Sequence, residues 1–172
     1  MVFSKDNVDY ENLGPIFLNG RKVDYVESMT YLGTTVTSKK GISFSAANDL
    51  TKFYRASNAI LRAVTKPSDE ILLHILYLNC IPILTYACAV TEYTSRQMQE
   101  CNTAVNNAFR LIFGYNRWES IRSLRESFGY SSLTELFAKA RKRFDNQLPH
   151  HRNKVLTNLA RNIAIERELN KE

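Results

Sequence analysis

The chain is poor in residues that break or staple a backbone, with 6 Gly, 4 Pro and 3 Cys among 172 residues. So little glycine and proline excludes a collagen-like or low-complexity chain. Cys80, Cys88 and Cys101 form neither an even set nor a Cys-x-x-Cys pair. That argues against a disulfide framework and for a reduced intracellular setting, nuclear or cytoplasmic, with the thiols as small core residues. Histidine is as scarce, and His74, His150 and His151 share no ligand-like spacing with any cysteine, so no metal site is expected. The nucleophile, metalloprotease, phosphate-loop and dinucleotide motifs are missing. Asp69-Glu70 is the only adjacent acidic pair, and a place in the first turn of a helix accounts for it. No residue is therefore expected to be catalytic in this chain alone. Residues 71–90 are the one long apolar stretch, but His74, Asn79, Pro82 and Thr85 interrupt it and basic flanks are missing. A buried helix pair is expected there, not a membrane span, and the first ten residues do not have signal-peptide architecture.

What is present fits one domain, or one with a small appendage. The charge balance is basic, +6 with a pI near 9.3. Residues 1–42 hold five basic and five acidic groups, and residues 43–94 hold four of each. The whole excess lies in residues 95–172, with 14 basic against 8 acidic. Within it, Lys139, Arg141, Lys142 and Arg143 fit either a solvated face or a polyanion contact.

Periodicity divides the chain near residue 42. Residues 1–4, 15–18, 22–26 and 31–37 read as strands, with Asn19-Gly20 as a hairpin turn and residues 38–41 as another. One antiparallel sheet of three or four strands is expected, too small to stand alone. From Ser43 the period becomes helical. Ser43 or Ser45 caps a helix to about Val64; Ser68 caps a second to about Cys80; Pro82 restarts a segment over 83–93. Ser95 caps the next, which Gly114 closes, and a short helix over 118–128 follows. Ser131 or Ser132 caps a longer one ending at Pro149, and a last helix over 153–169 buries Val155, Leu156, Leu159 and Ile163. The fold class is α+β, mostly α: a small N-terminal antiparallel sheet followed by a helical bundle.

The first helix carries the most specific pattern. At 100° per residue, Leu50, Phe53, Tyr54, Ile60, Leu61 and Val64 occupy one side, and Lys52, Arg55, Arg62 and Lys66 the other. A solvated face and a cationic rail for phosphates both fit, and the absence of an acid within the basic stripe favours the rail.

With the segments in order, the chain resembles the C-terminal half of the reverse transcriptase of LINE-type (non-LTR) retrotransposons. Met1-Val2-Phe3-Ser4 is similar to the end of that family's palm strand after the catalytic carboxylates. Pro15-Ile16-Phe17-Leu18-Asn19-Gly20 and Tyr31-Leu32-Gly33 resemble the hairpin and strand that hold the primer end. Pro82-Ile83-Leu84-Thr85-Tyr86, Arg110-Leu111-Ile112-Phe113-Gly114 and Phe128-Gly129-Tyr130 follow in the family's order, so the likeness covers about residues 1–145.

The resemblance implies a palm edge over residues 1–42, with Tyr31, Leu32 and Gly33 as primer grip, and a thumb over 43–172 with basic C-terminal helices. It also implies phosphate contacts from Lys52, Arg55, Arg62 and Lys66, with Arg110 and Arg117 as further nucleic-acid contacts; a helix-dipole role for Arg110 fits equally. The implied partners are an RNA/DNA template–primer duplex and the remainder of a reverse transcriptase, with no membrane. The family's paired catalytic aspartates, which bind Mg²⁺, have no counterpart, because no Asp-Asp pair occurs in the 172 residues. No synthesis is expected from this chain alone, and no cofactor. The alternative is a domesticated or degenerate helical protein-interaction module without a nucleic-acid role.

Overall fold

The computed structural model describes residues 13–38, 42–63 and 68–169. Expectations on residues 1–4, 39–41, Val64 and Lys66 lie outside these, as do the side chains of Leu159 and Ile163. The architecture is α+β and mostly helical, with antiparallel strands first and helices after. Strands β1 (Ile16–Leu18) and β2 (Arg21–Val23) form one hairpin; β3 (Ser28–Tyr31), β4 (Thr34–Thr37) and β5 (Ser43–Ser45) form a second, three-stranded sheet in that order. Among the described residues, the expectation of one sheet is thus corrected to two.

Both two-residue hairpin loops place their central residues at positive φ, Asn19 and Gly20 at 49° and 75°, Leu32 and Gly33 at 46° and 83°. These values belong to the turn whose twist matches paired strands. The Asn-Gly hairpin is as expected. The Tyr-Leu-Gly segment is not: residues 31–37 are no single strand, because Leu32-Gly33 reverses the chain and pairs Tyr31 with Thr34. Ser43 is likewise no helix cap. It pairs with Thr37 at the edge of the sheet, carrying the strands past residue 42, and Phe44 pairs with Val36.

The helices are α1 (Ala47–Ala63), α2 (Asp69–Asn79), α3 (Ile81–Thr85), α4 (Ser95–Phe113), α5 (Arg122–Ser127), α6 (Leu133–Gln147) and α7 (Lys154–Leu169). Their starts are chemically explicit. Ser68 Oγ accepts from Ile71 N, as the sequence predicts. At α4 the cap is Thr94 and not Ser95, since Thr94 and Gln97 satisfy each other's backbone N–H. Ser132 and Glu135 form the same box at α6. The backbone N–H of Ser132 holds the Glu135 carboxyl below its ordinary range, helped by Lys139 and Arg125.

Two expected spans and one expected burial change. The segment after Pro82 ends at Thr85 as a helix and continues as turns over 86–90, with Thr91 bonding Ala87 O through both N and Oγ1. The short helix begins at Arg122, not residue 118, and Val155 is 72% exposed, not buried.

The core lies where α4 meets α1, α2 and α6. Cys101, Ala104, Val105, Ala108, Phe109 and Ile112 repeat at helical spacing on one face of α4. Against them pack Phe53 of α1, Leu73 and Leu76 of α2, and Leu133 and Phe137 of α6. All three cysteines are free and buried there. Gln97 Nε2 donates to Phe44 O at 2.9 Å and Tyr93 Oη to Asp49 Oδ2 at 3.2 Å, tying β5 and α1 to the start of α4. Among the described residues no helix is long and apolar enough to cross a membrane, and α2 and α3 are separate short helices.

Phe53 is fully buried, so Phe53→Ala should lower unfolding free energy by about 3–5 kcal/mol in a urea titration. Burial, with Asp49 and Glu100 nearby, pushes the Cys101 thiol up from 9.0 to about 11. Its folded pKa exceeds its unfolded one, so this contribution is intact below about pH 9 and falls as pH rises towards 11. Cys101→Ala should flatten the stability–pH curve in that window.

Candidate nucleic-acid interface

The interface is built on α1 because its burial fixes which side faces out. Phe53 and Ser57 are buried, Leu50, Ile60 and Leu61 pack at the margin, and Lys52, Arg55 and Arg62 are exposed. Tyr54, expected on the packed side, is itself exposed, with its edge against Phe53 at a ring separation of 5.9 Å.

The rail is shorter than the sequence suggests. Asp49, one turn before Lys52, places Oδ1 3.5 Å from Lys52 Nζ. An acid therefore does enter the stripe, and its reach along the helix explains why wheel angle alone missed it. Arg55 and Arg62 make no ion pair among the described residues. Seven residues apart on a helix, they stand about 10 Å apart along its axis, or about three phosphates of one strand. Arg96 does not extend the stripe across the groove between α1 and α4, because Glu100 binds it at 3.0 Å.

Arg110 is committed elsewhere. Its Nε and Nη2 donate to Glu119 O at 3.1 and 3.0 Å, and Nη1 to Asn107 Oδ1 at 3.1 Å. The guanidinium braces the loop after α4, and few of its donors remain for a phosphate. In α6, Lys139 donates to Ser131 Oγ at 2.9 Å and Arg141 to Thr91 O at 3.2 Å, whereas Lys142 and Arg143 are exposed.

Tyr31, Leu32 and Gly33 form the tip of the β3–β4 hairpin, and a Cβ on Gly33 would stand 3.9 Å from the Tyr86 ring. Tyr31, Leu32, Phe44, Tyr86 and Val90 line an apolar groove of about 410 Å³. Leu32 is 72% and Tyr86 74% exposed, so the groove wall is open to solvent. Sequence reasoning reached the hairpin tip but not its Tyr86 wall, which the fold delivers from 50 or more residues away. No side-chain link joins this groove to Arg55 or Arg62 among the described residues, so the candidate residues fall into two places. Among the described residues no cluster of His, Cys, Asp or Glu could hold a metal ion.

Compared with known proteins, the chain matches no protein-family model, no curated protein and no solved structure.

A leucine in the left-handed region is strained by about 1–2 kcal/mol, and asparagine tolerates it better. Leu32→Asn should therefore raise the thermal midpoint while removing apolar surface from the groove. A drop in the midpoint would mean that the Leu32 side chain stabilises the fold itself.

Proposed function

We propose that this chain is the palm-edge and thumb portion of a retrotransposon-type RNA-directed DNA polymerase, binding template–primer nucleic acid through phosphate contacts and not catalysing synthesis alone. The observation that carries the binding reading is the pair of exposed guanidiniums, Arg55 and Arg62, on the outward side of a helix whose inward side is locked in the core. Guanidinium forks on a fixed helix suit phosphate oxygens and read no sequence. Lys52 adds a partly neutralised third charge. The polymerase origin rests on the motif order described above, from Met1-Val2-Phe3-Ser4 to Phe128-Gly129-Tyr130. Magnesium belongs to carboxylates not represented in these 172 residues.

A second reading, a helical protein-interaction module, draws on the open apolar groove at Tyr31, Leu32, Tyr86 and Val90. The two readings differ in what the groove meets: the remainder of a polymerase in the first, an unrelated protein in the second.

Filter binding to an RNA/DNA hybrid across a salt series tests the first reading. Affinity should fall steeply with salt, and Arg55→Glu with Arg62→Glu should lower the logarithmic salt slope by about one for each phosphate that is no longer neutralised. Lys154→Glu, on exposed α7 surface, should change it little. An equal effect from Lys154→Glu, or no binding at low salt, contradicts the proposal.

A further inference from the structure

Trp118 is the only tryptophan in the chain and is 86% exposed. The largest apolar side chain is the one normally kept at least partly covered, so full display of it is informative. The display is not a loose end. Gly114 closes α4 in the left-handed conformation, and Tyr115 N bonds back to Arg110 O at 2.9 Å. Arg110 then grips Glu119 O with two donors, while Glu119 N donates to Asn116 O at 3.1 Å. The Glu119 carboxylate accepts from Asn116 N, so this acid is turned into the loop. Residues 114–119 are thus a braced turn, and its apex presents an indole. Arg117 lays its guanidinium over that ring, 5.2 Å from the centroid.

We propose that Trp118, with Arg117, is a stacking platform for an unpaired nucleobase, so that the chain holds a single-stranded stretch of nucleic acid as well as the duplex gripped at α1. The inference rests on the nucleic-acid reading above and names a second, chemically different contact within it. An indole covered on one face by a guanidinium leaves the other face for a base, and the guanidinium supplies charge for an adjoining phosphate. Every base has a π face, so the contact is sequence-tolerant. The residues on either side in sequence argue against a membrane surface: Asn116, Arg117, Glu119 and Ser120 are polar and exposed, so Trp118 is not part of a run of apolar side chains that could enter a bilayer. They also argue against an apolar peptide, because Trp118 lines none of the grooves described above.

The single tryptophan is its own reporter. Full-length protein would be titrated with an oligothymidylate and with an abasic phosphodiester of equal length, exciting only the indole. Labelled-oligomer anisotropy would measure binding in parallel. Quenching by the thymidylate and not by the abasic strand is expected. Trp118→Ala should weaken thymidylate binding roughly 5- to 150-fold while leaving the abasic strand unaffected, and Trp118→Phe should retain most of the affinity. If both oligomers bind and the emission does not change, the stacking proposal is overturned and the phosphate rail stands. If neither binds at low salt, the nucleic-acid reading falls and takes this inference with it. An emission change with anionic vesicles but not with oligonucleotide overturns it in favour of a lipid surface.

Discussion

The seam along α4 is the constraint on which the rest depends. Phe109 and Cys101 are wholly buried on it, and Phe53 from α1 is buried to the same degree. A helix with one face committed this way has no rotational freedom left, so α1 must present Arg55 and Arg62 outward. α4 caps itself with Thr94 and Gln97, and Gln97 reaches on to the carbonyl of Phe44. The three-stranded sheet is in this way held by the bundle, which its short strands, with β3 exposed along its length, could not achieve alone.

The candidate surfaces follow from where that seam runs out. Past the C-terminus of α4 residues 114–120 are exposed, and Arg110 organises the loop that carries Trp118. At the other end, the hairpin tip meets Tyr86 after α3 stops, leaving an apolar groove. Charge and aromatic surface therefore occur at places fixed by backbone hydrogen bonding and packing, and not by net charge.

Much of this was legible in the residues. Most of the apolar stripe of α1, the cap at Ser68, the stop at Gly114 and the buried cysteines follow from local rules, and the capping box settles the α6 cap on Ser132 over Ser131. The misreadings share a cause. Leu32-Gly33 resembles strand until both residues take positive φ, because leucine is a poor advertisement for a left-handed turn. Ser43 had two roles open to it, and pairing with β4 settled the choice. The partners of Asp49 and Arg110 were not legible, because a side chain's partner depends on reach and on elements distant in sequence, which residue spacing does not encode.

The central claim is that the outward cations of α1 meet phosphates. Arginine-selective dicarbonyl labelling, read by peptide mapping with and without an RNA/DNA hybrid, tests it residue by residue. The account predicts that saturating hybrid protects Arg55 and Arg62 while Arg152 stays reactive. Hybrid binding that leaves Arg55 and Arg62 fully reactive would contradict it.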